Sequence, residues 1–247
     1  MGFTISTAAA RGDAGIANAV PDVWYANQLA SYRTHAVPTG HAPLDRELPD
    51  RGWPSRTLIE LLAQQAGIGE MRLLLPALRR IADRPIALVQ PPHQPQAAAW
   101  ASDDFPVGRM MWVKAGKSAD ALWAAEQILR NGTCGALLFW QPRIRNESLR
   151  RLHLAAQGSD IVFWLIRPLA CAQDASPAPL RMALRPAAGG ISVDIVKRRG
   201  PRRADPLVLP FERMPAASPT FADFDHALVD SRSSPAATVG NVSPALV

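Results

Sequence analysis

Short apolar runs bounded by turn residues recur through the middle of the chain, and stretches with helical spacing lie between them. The runs are Leu58 to Leu62, Ile86 to Val89, Met110 to Val113, Ala136 to Trp140 and Ile161 to Ile166. An unbroken apolar run of this length suits a strand buried on both faces. The intervening segments include Met71 to Ala82, Ser118 to Asn131 and Asn146 to Gln157. In the second of these, Ala121, Leu122, Ala125, Ile128 and Leu129 share one face, Ser118 is placed to cap the start and Gly132 to end it. Strands alternating with amphipathic helices predict an α/β domain, a mainly parallel sheet flanked by helices. After Ala187 the rhythm changes. Gly189-Gly190 precede Ile191 to Val196, whose alternation suits an antiparallel strand, and Leu207 to Phe211 is placed to pair beside it.

The two ends read differently from this core. Residues 1–36 read as a flexible arm, residues 37–212 as the folded domain and residues 213–247 as a disordered tail rich in Pro, Ala and Ser. Within the tail, Phe221, Phe224 and Leu228 belong to one apolar and acidic segment. It reads either as a docking peptide for a partner protein or as part of a frayed end. A hydrophobic share of 48% is enough to bury a sizeable core. The two cysteines, Cys134 and Cys171, are too few for a disulfide framework or a zinc site, and read as small hydrophobes in a reducing compartment. No apolar run reaches membrane-spanning length, and the first residues lack the pattern of a signal peptide, so a cytoplasmic protein is expected.

The loop after the first strand stands where a phosphate-binding loop is expected. It runs Gln64-Gln65-Ala66-Gly67-Ile68-Gly69-Glu70-Met71. A working loop of that kind ends in Gly-Lys-Ser/Thr, because backbone N–H groups and one ammonium cradle the phosphates while a hydroxyl holds Mg²⁺. Here the triplet is Gly69-Glu70-Met71. A carboxylate repels a triphosphate, and a thioether is a poor ligand for a hard cation. Gly67, Gly69, Glu70 and Met71 therefore read as a degenerate nucleotide loop, with no catalytic residue, cofactor or metal expected.

The order of elements, together with Thr39-Gly40-His41-Ala42-Pro43-Leu44-Asp45 and the turn Gly52-Trp53-Pro54-Ser55-Arg56, resembles the core of the RecA recombinase family. That likeness covers roughly Val37 to Phe211 and implies a RecA-like three-layer core with antiparallel strands appended at its C-terminal side. Carried over position by position, the resemblance puts Glu70 and Met71 where the family has its lysine and threonine. It puts Pro92 at the catalytic glutamate, Trp140 at the metal-associated aspartate and Leu165 at the γ-phosphate-sensing glutamine. Joint loss of these groups removes nearly all of phosphoryl-transfer catalysis. The chain thus resembles a pseudo-ATPase.

Within that group, the segment Gly67 to Leu78 and the following Arg143-Ile144-Arg145 are similar to the ImuA set of translesion DNA synthesis-associated proteins, themselves related to the SulA inhibitors of cell division. This resemblance implies a non-catalytic accessory role in SOS-induced, error-prone translesion synthesis. Its implied partners are an ImuB-type Y-family polymerase homologue and an error-prone C-family DNA polymerase, with RecA and single-stranded DNA as further contacts. A SulA-like inhibitor of the tubulin-like division GTPase is the alternative it admits. Residual nucleotide binding without turnover stays open, because helix-start amides attract anions.

A formal charge of +6 favours an acidic partner. Lys197, Arg198, Arg199, Arg202 and Arg203 crowd into one short segment, with Arg181 and Arg185 upstream. Such density suits contacts to nucleic-acid phosphates, and equally a solvated charge run. No aromatic platform accompanies it, which points to backbone contact rather than base reading. Trp112, Trp140 and Trp164 are expected in the core, while Trp53 and Trp100 are candidates for a partner surface. His93 reads as a polar loop residue, and Asp103-Asp104 lacks the spacing of a metal site.

Overall fold

Seven consecutive buried residues, Thr57–Ala63, form the strand around which the domain is built. The computed structural model describes residues 36–101, 105–201, 203 and 205–211. Numbered along the chain, the strands are β1 (Ala36–Val37), β2 (Trp53–Pro54), β3 (Thr57–Ala63), β4 (Ile86–Val89), β5 (Met110–Val113), β6 (Ala136–Trp140), β7 (Val162–Pro168), β8 (Leu180–Ala187), β9 (Gly190–Lys197) and β10 (Leu207–Pro210). The helices are α1 (Ala42–Glu47), α2 (Glu70–Arg80), α3 (Ala97–Ala101), α4 (Ser118–Asn131) and α5 (Asn146–Gln157).

Eight strands make one sheet in the order β10-β9-β8-β3-β7-β6-β4-β5. Strands β3 to β8 pair in parallel, while β9 runs antiparallel to β8, and β10 to β9. The result is a mixed α/β fold with a large, mostly parallel sheet flanked by helices. Successive strand residues face opposite sides, so each buried strand feeds two cores. On one side Ile59, Leu61, Leu88, Leu138 and Trp164 pack with Leu44 of α1 and Leu73, Leu74 and Leu78 of α2. On the other, Leu58, Val89, Leu137, Phe139 and Phe163 pack with Ala121, Ala125 and Leu129 of α4 and Leu149 and Leu152 of α5. Each fully buried Leu or Phe contributes about 1.5–3 kcal/mol relative to exposure.

Local chemistry sets the ends of these helices. Gly132 closes α4 at φ 70°, the left-handed conformation a residue with a Cβ resists. Ser118 is the first helical residue rather than the cap, which is Lys117 with no side-chain hydrogen bond. Gly40 is required for a different reason. A Cβ there, at φ 83°, lies 2.3 Å from Cβ of Pro76 inside α2, so the Thr39-Gly40 turn and α2 touch through the missing side chain.

Two expectations about tryptophan are corrected. Trp112 is 43% exposed, because β5 ends the sheet and has a neighbour on one side only. Trp53 is fully buried and meets Trp164 edge to face, with ring centroids 5.6 Å apart. Trp100 is half-buried against Phe105 at 5.1 Å. Strand β8 interrupts its apolar run with Arg181, Arg185 and Pro186, which hid it from an apolar-run reading. No helix among the described residues is long and apolar enough to cross a membrane. Ala36, the last residue of the expected arm, is in β1, while residues 1–35 and the tail, with Phe221, Phe224 and Leu228, lie outside the described residues.

Candidate functional site

In a parallel sheet the strands end together, and the crevice beyond their carboxyl ends is where ligands sit in open α/β folds. Here the carboxyl ends of β3, β4, β6 and β7 border a cavity of about 430 Å³. Each strand delivers a polar residue to it: Gln64 after β3, Gln90 after β4, Gln141 after β6 and Arg167 near the end of β7. Gln90 stands at φ 53°, a left-handed conformation that costs a residue with a Cβ about 1–2 kcal/mol. Its amide nitrogen donates to the Ala115 carbonyl at 2.6 Å, which holds the turn. The Gln141 amide nitrogen donates to the Arg143 carbonyl at 2.7 Å.

The loop from β3 to α2 forms one wall. Gly67 and Gly69 adopt φ 79° and 109°, and Gly69 is the residue preceding the first turn of α2. Glu70 then folds back so that its Oε1 accepts the Gly67 N–H at 3.0 Å. A backbone amide in the loop leading into α2, where the helix dipole favours an anion, is thus met by the chain's own carboxylate. Glu70 is 4% exposed, and its other oxygen, Oε2, is buried with no hydrogen-bond partner among the described residues. Gly69 has a packing role besides. A Cβ on it comes within 2.4 Å of the Phe211 ring, which in turn carries the Arg72 guanidinium 4.7 Å from its centroid.

Of the positions singled out in sequence, Gly67, Gly69 and Glu70 meet in this loop, and Glu70, Pro92 and Trp140 all line the cavity. Met71 turns away, into a separate groove with Leu75 and Trp100. Leu165 lies inside β7, buried, and the residue that reaches the cavity from that strand is Arg167. His93 is exposed.

Beneath the cavity lies a charge network that sequence reasoning missed. Glu60, fully buried in β3, accepts from Arg167 Nη1 at 3.1 Å and from Arg181 Nε at 2.5 Å. Arg167 Nη2 reaches Asp174 at 3.1 Å, and Arg181 also donates to the carbonyls of Cys171, Ala172 and Asp174. Arg167 Nε and Trp140 Nε1 are buried without partners among the described residues. The available signal was Glu60 itself, since a carboxylate inside an apolar strand demands cationic neighbours.

The basic segment after β9 is partly committed to the fold. Arg198 Nη1 binds Glu47 Oε2 at 2.8 Å and the Glu47 carbonyl, and Arg203 Nη1 binds Glu47 Oε1 at 2.5 Å. These guanidinium groups, Arg198 first, hold the Glu47 carboxyl below its ordinary range. Lys197 Nζ donates to the Ser176 carbonyl at 3.1 Å, Arg199 is exposed, and Arg202 lies outside the described residues. Arg181, read as an upstream member of this patch, is 5% exposed and points its charge at Glu60. Burial pushes the Cys134 and Cys171 thiols up. No group of three or more His, Cys, Asp or Glu positioned for a metal occurs among the described residues.

No protein-family model matches the chain. Over 98 residues it is 29% identical to the cell division inhibitor SulA of Edwardsiella piscicida, a distant similarity covering 39% of this chain and 58% of that one. The crystal structure of SulA from Pseudomonas aeruginosa aligns with 45% of this chain and 97% of its own, at 23% identity and a TM-score of 0.39.

Proposed function

We propose that the chain is a non-catalytic docking protein of the DNA-damage response, a SulA-related member of the RecA-like group whose nucleotide loop no longer takes a nucleotide. The observation that carries this reading is the hydrogen bond from the Gly67 N–H to Glu70 Oε1, which fills the anion position from within. An incoming phosphate must displace a buried carboxylate and then sit beside it. The parallel sheet, with antiparallel β9 and β10 added at its C-terminal side, supports a RecA-like core. Measured turnover of ATP in the presence of single-stranded DNA is expected to be at background. Hydrolysis abolished by Gly69→Val overturns the reading.

Two partner classes follow from it. The sequence similarity to a cell division inhibitor favours a protein that covers the polymerising surface of the tubulin-like division GTPase. Overproduction in bacterial cells should then give filaments that a stop at residue 40 does not. The segments Gly67 to Leu78 and Arg143 to Arg145 favour instead an adaptor of translesion synthesis, bound to a Y-family polymerase homologue and an error-prone C-family polymerase. Co-purification with the polymerase homologue, without filamentation, selects that reading. Contact with single-stranded DNA through the basic segment belongs to the adaptor. Because Glu47 holds Arg198 and Arg203, Arg199→Gln should lower the salt dependence of oligonucleotide binding more than Arg198→Gln does.

A further inference from the structure

We infer that the cavity at the carboxyl ends of the sheet receives an arginine residue from an extended segment of a partner protein. This rests on the loop being closed to nucleotide, as proposed above. The charges around the cavity leave one carboxylate over. Glu60 and Asp174 are matched by Arg167 and Arg181, whereas among the described residues Glu70 forms no ion pair and its Oε2 has no donor. A buried carboxylate oxygen without a donor is costly, and an incoming cation relieves that cost. The amide nitrogens of Gln90 and Gln141 each donate to a backbone carbonyl, which fixes these side chains at the cavity wall, and each side chain also carries an oxygen acceptor.

Acceptors grouped around a carboxylate suit a guanidinium, which presents five donors in one plane, better than an ammonium. Trp140 adds an aromatic ring to the same wall, and guanidinium groups stack on such rings. Pro142, Ile166 and Pro168 give the cavity an apolar side for the side-chain stem. The cavity also holds the reverse demand. Trp140 Nε1 and Arg167 Nε are donors without acceptors, and a peptide carbonyl supplies one. An alkylguanidine leaves these donors unmet, and free arginine would set a second carboxylate in a site that already holds Glu70, whereas the neutral carbonyl of an arginine residue within a peptide adds no charge.

Calorimetric titration of the full chain with N-acetyl-arginine-N-methylamide, its lysine counterpart, agmatine and MgATP tests this. The blocked arginine is expected to bind at least tenfold more tightly than the lysine compound and several-fold more tightly than agmatine. Glu70→Gln, which can still accept the Gly67 N–H, should weaken it tenfold or more. Pro92→Trp, a change at an exposed residue of the cavity mouth, should do the same without touching the loop. Equal binding of arginine and lysine compounds, no binding, or binding unaffected by both variants overturns the inference. Agmatine binding as well as the peptide overturns the choice of a protein segment. MgATP that binds and displaces the arginine compound instead overturns the closed loop, so the two failures are told apart.

Discussion

Arg167 Nη1 lies 3.1 Å from Glu60 Oε1, an ion pair between adjacent central strands with both side chains almost wholly removed from water. Burying such a pair is not free stabilisation, because desolvation of the two ions offsets much of their attraction. Removing one partner is another matter, since Arg167 and Arg181 are then left facing each other in the core.

Glu60→Ala is therefore expected to lower unfolding free energy by about 3–5 kcal/mol, well beyond the cost of a lost side chain at a surface. The partner change Arg181→Met should cost less, because Arg167 keeps Glu60 and Glu60 keeps a cation. Urea titration of both variants provides the comparison. Equal losses would show that the network is not organised around Glu60.

The two loop glycines separate conformational strain from packing. Gly67 and Gly69 both have positive φ, but a Cβ on Gly67 meets nothing within 4 Å while one on Gly69 strikes the Phe211 ring. Gly67→Ala should cost about 1–2 kcal/mol from the left-handed backbone alone. Gly69→Ala should cost more, and adding Phe211→Ala should recover part of the excess. Chemical denaturation of the single and double variants measures this coupling. Additive losses would remove Phe211 as the reason for Gly69.

Two histidines tie stability to pH. Leu58 donates its N–H to His153 Nδ1 at 3.4 Å, and burial, aided by nearby Lys197, lowers the pKa of that ring below 6.5. Burial likewise lowers His41, whose Nε2 meets the Leu73 carbonyl at 3.2 Å. With both folded values depressed, the unfolded chain binds more protons. The contribution is thus fully present above the unfolded value of 6.5 and is lost as pH falls through the lowered folded values. Denaturation midpoints taken from pH 7.5 down to 5.5 should decline towards acid, and His153→Asn, which keeps an acceptor but does not titrate, should flatten the decline. An unchanged slope in that variant rules His153 out as a source.

These relationships differ in how far the sequence revealed them. Strands β4 and β6 are apolar on both faces and were readable as buried strands, and α4 and α5 were placed to the residue by spacing and by Gly132. Lateral order was another matter. Trp112 is exposed because β5 ends the sheet, and Trp53, in the separate β1-β2 pair, is buried because it packs edge to face on Trp164; the apolar runs record neither. Glu60 meets Arg167 and Arg181 across 107 and 121 residues of chain, a pairing that needs the register of three strands. That a glutamate follows Gly69 in the loop after β3 was visible in the sequence. That Glu70 turns inward onto the Gly67 N–H depends on the positive φ of the two glycines and was not.

If Glu70 occupies the anion position of its own loop, removing the carboxylate should reopen it. In Glu70→Ala the Gly67 N–H loses its acceptor at the start of an eleven-residue helix, where backbone amides and dipole favour an anion. Inorganic phosphate should then raise the melting temperature of the variant in a concentration-dependent way, as any ligand selective for the folded state does. The parent protein should show no such shift beyond the general salt effect seen with chloride at equal ionic strength. Since Met71 faces the groove beside Trp100 rather than the cavity, magnesium is not expected to increase the effect. A parent protein that responds to phosphate as strongly as the variant would mean that the Glu70 carboxylate does not block the loop.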